Sequence, residues 1–209
     1  MTYSIKEIFY TLQGEGAHAG RPAIFIRFAG CNLWSGHERH RSSAICTFCD
    51  TDFVGTNGEN GGKYTIETLV TKIISLWPET NTNPFIVCTG GEPGLQLDQT
   101  FIDAMHQVNV YVSIETNGTV ALPSGIDWIC VSPKSNAPLK VLTGDELKLV
   151  YPQPNAMPEQ FTHLHFKRFS LQPMDGPDLD QNIQLTLEYC KAHPKWYLSM
   201  QIHKMLRIP

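Results

Sequence analysis

Three of the six cysteines lie close together in the sequence, and their spacing suggests metal chemistry. Fourteen residues separate Cys31 from Cys46, and two residues separate Cys46 from Cys49. Three thiolates can hold three irons of a four-iron cluster and leave the fourth iron open to a chelating ligand. Because His37 and His40 lie between the cysteines, a closed zinc site with three cysteines and one histidine is an equally good interpretation.

A glycine-rich turn follows the next apolar segment of the chain. Thr89 is followed by Gly90-Gly91-Glu92-Pro93, directly after the apolar run 85–88. Glycines let backbone carbonyls approach an ammonium group without a Cβ in the way, and a carboxylate accepts a charge-assisted hydrogen bond from it. An ordinary type I or type II turn at the end of a strand is the alternative.

Proline and glycine divide the chain into short elements that must position these groups. Continuous runs of β-branched and aromatic residues predict strands buried on both faces of a parallel sheet. The runs are 23–29, 85–88, 110–115, 128–131, 147–151, 163–171 and 196–202. Helical spacing of apolar residues predicts helices over 65–77, 97–108 and 179–192, with Thr65 as the N-cap of the first and Pro78 as its stop.

The number of predicted strands bounds the fold. A closed eight-fold barrel typically needs about 250 residues, which exceeds the 209 available. We therefore predict an α/β fold: an open, partial (βα)-type barrel of about six parallel strands with reduced helices, as one domain over 1–209. Segments 55–63 and 151–158 are predicted to be surface loops. In such folds the chemistry gathers at the carboxyl ends of the strands.

Composition excludes several classes of protein. Hydrophobic residues make up 42% of the chain and charged residues 17%, which excludes disorder of the whole chain. The formal net charge of -4 gives no broad basic surface, so we expect no nucleic-acid partner. We find neither a secretory signal nor an apolar stretch of the roughly 20 residues that span a membrane. We therefore expect a cytoplasmic protein without a membrane partner, whose cysteines are thiols.

The cysteine group and the glycine turn together resemble the radical S-adenosylmethionine superfamily. In that superfamily three cysteines bind a [4Fe-4S] cluster, an aromatic residue precedes the last cysteine, and a Gly-Gly-Glu-Pro turn holds the methionine amino group. Phe48 and residues 90–93 match this pattern. The superfamily usually has three residues between its first two cysteines, whereas this chain carries the long insert 32–45.

The long insert is similar to that of one family within the superfamily, the 7-carboxy-7-deazaguanine synthases. Segments 7–16 (EIFYTLQGEG) and 23–28 (AIFIRF) also resemble this family, as do Asp50 and Thr51 after the last cysteine. The resemblance covers nearly the whole chain. It implies a radical S-adenosylmethionine core with three cofactors: a [4Fe-4S] cluster on Cys31, Cys46 and Cys49, S-adenosylmethionine, and Mg²⁺ on Asp50 and Thr51.

The resemblance also implies two sets of binding residues. The cofactor contacts that it implies are Phe48, Gly90, Gly91, Glu92, Glu115, Ser132, Lys134 and Gln172. The substrate contacts that it implies are Gln13, Gly14, Glu15, Arg27, Thr89, His203 and the carboxylate of Pro209, with segment 196–209 closing over the substrate. As simpler alternatives, Arg27 pairs with a core carboxylate and His203 is an ordinary core histidine.

The activity implied by the resemblance is the conversion of 6-carboxy-5,6,7,8-tetrahydropterin to 7-carboxy-7-deazaguanine and ammonia, a radical ring contraction in 7-deazapurine and queuosine biosynthesis. The family's habit also implies a homodimer, with a flavodoxin or ferredoxin as electron donor. Two alternatives remain open: a glycyl-radical-type activating enzyme with a similar cluster motif, and a zinc-stapled binding module without catalysis.

Overall fold

A computed structural model describes residues 2–209 of the chain. Its strands form one nine-stranded sheet with the order β3-β1-β2-β4-β5-β6-β7-β8-β9. The strands are β1 Tyr3–Leu12, β2 Pro22–Phe28, β3 Gly62–Tyr64, β4 Phe85–Gly90, β5 Tyr111–Thr116, β6 Trp128–Val131, β7 Thr143–Tyr151, β8 His165–Pro173 and β9 Trp196–Leu198. The α-helices are α1 Ile66–Leu76, α2 Gln99–Gln107, α3 Leu179–Ala192 and α4 Ile202–Leu206.

The predicted α/β class with a mostly parallel sheet is confirmed. Strands β2, β4, β5, β6, β7, β8 and β9 pair in parallel, one more than the six predicted. Strand β1 pairs antiparallel with both β2 and β3 at one edge. Because β3 and β9 end the strand order, hydrogen bonds do not close the sheet into a complete barrel.

Two segments differ from their predicted structure. Residues 55–63 were expected to be a loop, but Gly62 and Lys63 begin β3, which pairs with the start of β1. Segment 196–202 was expected to be one strand, but β9 ends at Leu198. After β9, the Ser199 hydroxyl accepts a hydrogen bond from the Gly16 N–H. The chain then continues to Ile202, where α4 begins.

Helices α1 and α2 pack on one face of the sheet through buried apolar side chains. These include Leu69 and Ile73 of α1 and Phe101, Ile102 and Met105 of α2. The first helix begins where predicted, since the Thr65 hydroxyl accepts a hydrogen bond from the Thr68 N–H. Helix α3 packs on β8 and β9. These helices leave the carboxyl ends of the parallel strands open to the loops that follow them.

None of the helices between residues 2 and 209 has the length and apolar character that a membrane crossing requires.

Candidate functional site

A cavity of about 370 Å³ lies at the carboxyl ends of the parallel strands. Its volume falls within the range of roughly 300 to 1,000 Å³ that is common for small-molecule sites. Nineteen of the twenty binding residues predicted from the sequence line it. They are Gln13, Gly14, Glu15, Arg27, Cys31, Cys46, Phe48, Cys49, Asp50, Thr51, Thr89, Gly90, Gly91, Glu115, Ser132, Lys134, Gln172, His203 and Pro209.

The three grouped cysteines lie on the same wall of the cavity, and none forms a disulfide. Cys31 follows β2, and its sulfur accepts a hydrogen bond from the Leu33 N–H at 3.4 Å. The Cys46 thiol donates a hydrogen bond to Cys49, which lowers the pKa of Cys49 to about 6. Burial raises the pKa of Cys31. The loop therefore already favours one thiolate, the form in which cysteine binds metal.

The residues around these cysteines fit an iron-sulfur cluster. The Trp34 side chain lines the same cavity, and its buried indole N–H has no hydrogen-bond partner among residues 2–209. An N–H group of this kind is available to donate to a cluster sulfur. Within the same residues, no group of three or more His, Cys, Asp and Glu side chains is close enough to hold a single metal ion.

The two histidines of the zinc hypothesis lie elsewhere. His37 and His40 are exposed and are not part of the cavity wall. The Nδ1 atom of His40 lies 2.8 Å from the Ser35 hydroxyl, so this hydrogen bond already engages one ring nitrogen. The structure therefore separates the cysteines from the histidines that a zinc site with three cysteines and one histidine would need.

The insert 32–45 folds back over the loop that carries Cys46 and Cys49. Arg41 donates hydrogen bonds from Nη1 to the carbonyls of Thr47 and Cys49, at 3.0 and 3.1 Å. The same guanidinium lies 4.1 Å from the centre of the Trp34 ring, a cation–π contact. Arg41 thus joins the insert to the backbone of the cysteine loop.

The glycine turn after β4 packs directly against the chain leading to Cys31. The Gly91 N–H donates to the Phe28 carbonyl at 3.1 Å, and the Glu92 N–H donates to the Gly30 carbonyl at 2.9 Å. A Cβ on Gly91 would lie 2.0 Å from the Gly30 oxygen, and Gly90 has a φ of 121°. Glycine is therefore required at both positions to bring the two loops together.

Glu92 is the one predicted binding residue that does not line the cavity. Its side chain is 0% exposed. Oε1 accepts hydrogen bonds from the Thr116 hydroxyl at 2.6 Å and the Gly94 N–H at 2.9 Å, while Oε2 accepts from the Asn117 N–H at 2.7 Å. The carboxylate instead joins the glycine turn to the loop after β5.

Polar side chains from the later strands complete the wall beside Phe48. The ammonium of Lys134 donates to the carbonyl and hydroxyl of Ser132, at 2.7 and 2.8 Å, and lies 5.9 Å from the Phe48 ring centre. The Gln172 side-chain oxygen accepts from the Ser199 hydroxyl at 3.2 Å. These groups can present hydroxyl, ammonium and amide functions to a polar ligand.

Lys148 is a buried member of the cavity wall that the sequence analysis missed. Its ammonium lies 2.5 Å from Glu15 Oε2 and 3.2 Å from Glu115 Oε1. Glu115 Oε1 also accepts from the Gln13 amide at 2.9 Å. Burial opposes the ionisation of Glu15, but Lys148 outweighs it and lowers the Glu15 pKa to about 2. A lysine inside the apolar run 147–151 was the available signal, because a buried ammonium needs anionic partners.

The last residues of the chain close one side of the cavity. The Ile202 N–H donates to the Gly14 carbonyl at 2.9 Å, and the Gly14 Cα lies so close to His203 that a Cβ there would be 2.2 Å from the ring. The Thr11 hydroxyl lies 3.3 Å from the Pro209 oxygen. The first turn and the final segment therefore meet over the site.

Two further side chains of this final segment contact the site without having been predicted. Lys204 places its ammonium 2.5 Å from carboxylate oxygens of both Asp50 and Asp175. Gln201 donates to Glu15 at 2.9 Å. These contacts join the final segment to the loop after the last cysteine, to the loop after β8 and to the loop after β1.

Arg27 has the core-type partner that the simpler interpretation suggested. Its Nε donates to Glu7 Oε1 at 2.7 Å, between neighbouring strands β1 and β2. The side chain also lines the cavity. Because Nε is only one of five N–H donors on the guanidinium, the pair with Glu7 leaves Arg27 able to bind an anion as well.

Comparisons with known proteins agree with this geometry. No family model matches the chain. It is 59% identical over 210 residues to the 7-carboxy-7-deazaguanine synthases of Burkholderia multivorans and Caulobacter vibrioides, covering all of this chain and all of each relative. It is similar to the crystal structure of QueE from Escherichia coli, with a TM-score of 0.72, 28% identity and coverage of 96% and 94% of the two chains.

Proposed function

The chain belongs to the family of 7-carboxy-7-deazaguanine synthases, and on that premise we propose that its cavity converts 6-carboxy-5,6,7,8-tetrahydropterin to 7-carboxy-7-deazaguanine and ammonia. It is a radical S-adenosylmethionine enzyme, a carbon–nitrogen lyase of 7-deazapurine and queuosine biosynthesis. The observation that carries the residue assignments is that nineteen of the twenty predicted binding residues line one cavity. The family assignment also removes the non-catalytic zinc module as a description of the chain.

Family membership implies a [4Fe-4S] cluster and S-adenosylmethionine. Cys31, Cys46 and Cys49 would hold the cluster, and Trp34 would donate its N–H to it. Phe48, Gly90, Gly91, Ser132, Lys134 and Gln172 would surround the nucleoside. When bound, the two cofactors supply the radical that abstracts hydrogen from the substrate. The protein orients the substrate and excludes water and oxygen.

The charges of the cavity suit the substrate. Arg27 would bind the substrate carboxylate, because a guanidinium fork matches a carboxylate. Gln13 and Glu15 would accept hydrogen bonds from the guanidine-like edge of the pterin. His203 and Pro209 would close around it, since the final segment is held against Gly14. Thr89, at the end of β4, would also contact the substrate.

Magnesium belongs to the same proposal. Asp50 and Thr51 offer hard oxygen ligands on the cavity wall, and Mg²⁺ commonly takes its other ligands from water and substrate. The ammonium of Lys204 lies 2.5 Å from Asp50 Oδ2, so Mg²⁺ would have to displace it to bind that oxygen. We expect Asp50→Ala to weaken magnesium dependence while iron content stays unchanged. Equal loss of iron would contradict the role.

The assembly and setting of the enzyme complete the proposal. A homodimer is supported by exposed apolar side chains on β9 and α4, with Tyr197 52% and Met205 71% exposed. A flavodoxin or ferredoxin as electron donor is supported by exposed Arg39 on the insert beside the cysteine loop.

We place the enzyme in the cytoplasm, because the unpaired cysteines require a reducing compartment. Residues 1–209 would form one radical S-adenosylmethionine domain, with 32–45 as its insert and 196–209 as its closing segment.

Anaerobic purification and a product assay test the function. We expect brown protein with about four irons per chain. With the pterin, S-adenosylmethionine, Mg²⁺ and a reductant, it should form a carboxylated deazaguanine that mass spectrometry detects. If 5′-deoxyadenosine forms without that product, the activating-enzyme alternative is favoured. Colourless protein that copurifies with one zinc per chain would refute the cluster assignment.

A further inference from the structure

The buried Lys148 on β7 lies between one predicted substrate residue and one predicted cofactor residue. It is 3% exposed. Its ammonium is 2.5 Å from Glu15, which follows β1, and 3.2 Å from Glu115, on β5. These two carboxylates come from opposite parts of the chain, 133 and 33 residues from Lys148. A single cation therefore connects the two halves of the cavity wall.

The contacts around this lysine use both carboxylates. Glu15 also accepts from the Gln201 amide at 2.9 Å, and Glu115 accepts from the Gln13 amide at 2.9 Å. Two anions held this close in a buried site repel each other, so without a cation between them one would take up a proton. The ammonium removes that penalty and fixes the position of both groups.

We propose that Lys148 is a positioning residue for the reaction, and that it holds Glu15 and Glu115 in place as ionised hydrogen-bond acceptors for the donor edge of a pterin-type substrate. This inference rests on the proposed function, and it assigns to the substrate Glu115, which the resemblance placed among the cofactor contacts. The two carboxylates and the lysine carry a net charge of -1, which complements an amino- and imino-bearing ring edge. A neutral pair of carboxyl groups would instead present O–H donors to those same substrate donors.

Other titratable groups face this cluster. Cys130 on β6 and Glu146 on β7 lie on the same side of the sheet as Lys148, and His203 on α4 faces Glu15. Burial raises the pKa of the Cys130 thiol. Glu146 is occupied by the Ala17 N–H and the Ser170 hydroxyl. The Arg168 guanidinium faces the same group, because its Nε lies 3.8 Å from Glu146 Oε1, and it pairs with Glu146 rather than with Glu15 or Glu115.

The test compares substrate binding by cluster-loaded protein with S-adenosylmethionine present, measured by anaerobic calorimetry with 6-carboxy-5,6,7,8-tetrahydropterin between pH 6 and 8.5. Lys148→Met keeps side-chain length without the charge. We expect binding weakened by about tenfold or more, because a charge-assisted contact is lost, with iron content unchanged. Binding should also tighten as pH rises, since Glu15 must now ionise without the cation that lowers its pKa. This dependence should be steeper in the variant than in wild type, where the Lys148 ammonium lies between the two carboxylates.

A control and a second variant keep the result interpretable. Lys167→Met removes an exposed lysine that also pairs with a carboxylate, Asp145 at 2.7 Å, and should leave binding unchanged. In Lys148→Met with Glu115→Gln, one of the opposing charges is also removed, so the pH dependence should shrink while binding stays weaker than in wild type. If the single variant does not fold, the double variant is compared with Glu115→Gln alone, from which it differs only at Lys148, and it should bind the pterin more weakly than that variant.

Binding by Lys148→Met within about threefold of wild type at every pH, or binding by the double variant within about threefold of Glu115→Gln, would overturn the role of Lys148. A wild-type protein that fails to bind the pterin would instead refute the proposed function. The two failures are therefore distinguishable.

Discussion

The buried carboxylate of Glu92 provides the sharpest test of the structure. We expect Glu92→Gln to destabilise the folded protein and, through the loops it joins, to weaken binding of S-adenosylmethionine. The side chain is 0% exposed, and its carboxylate accepts hydrogen bonds from the protein's own Thr116, Gly94 and Asn117. A residue that only touched the cofactor would lose affinity without losing stability.

The hydrogen bonds set the size of the effect. Glutamine can keep its carbonyl at the Oε1 position, where two donors converge, but its NH₂ then faces the Asn117 N–H. One hydrogen bond is lost and one buried donor is left unsatisfied, which together cost about 2 to 4 kcal/mol. For a chain of this size, such a loss lowers the thermal midpoint by roughly 5 to 15 °C.

The assay is thermal unfolding of the cluster-loaded protein under anaerobic conditions, followed by circular dichroism. Glu79→Gln, at an exposed position between α1 and β4, is the matched control and should shift the free energy of unfolding by no more than about 0.5 kcal/mol. If Glu92→Gln unfolds at the same temperature as Glu79→Gln but no longer binds S-adenosylmethionine, the carboxylate contacts the cofactor directly and our reasoning is wrong.

Three further predictions concern other parts of the site. Gly14→Ala should displace His203 and raise KM for the pterin about tenfold or more with iron content unchanged; an unchanged KM would show that the final segment does not contact substrate. Because Lys148 lowers the Glu15 pKa from 4.5 to about 2, the stability that this carboxylate contributes is present above pH 4.5 and is lost as pH falls towards 2. When the free energy of unfolding is measured against pH, Glu15→Gln should lack this part of the loss of stability. A Glu15→Gln curve parallel to that of wild type would contradict the contribution of the Glu15 carboxylate. Arg41→Gln should speed removal of iron by a chelator several-fold, and an unchanged rate would show that the insert does not support the cysteine loop.

Most of the sheet could be predicted from local sequence. The seven apolar runs correspond to β2 and β4–β9, because strands covered on both faces leave a continuous apolar pattern. The first strand, β1, was missed, since it mixes Ser4, Lys6 and Glu7 with its apolar residues. Strand β3 has only three residues and includes Gly62. Its pairing with Tyr3 and its neighbours is a long-range contact that no local pattern contains.

The cavity residues were predicted from the resemblance to a family, and the topology explains why they meet. Parallel strands bring their carboxyl ends to one edge, so motifs that follow different strands meet there. For Glu92 the motif predicts the turn but not the direction of the side chain, which is buried away from the cavity wall. Lys204 had no sequence signal at all, since its partner Asp50 is 154 residues away. Its position depends on how α4 packs, which the sequence does not show.

The backbone hydrogen bonds from Gly91 and Glu92 to the chain before Cys31 have a thermodynamic consequence. Ligands that order the same segment help each other to bind, because the second ligand finds that segment already ordered. Such cooperativity is reciprocal. Bound nucleoside should therefore slow the escape of iron, and oxidative damage to the metal centre should release the nucleoside as well.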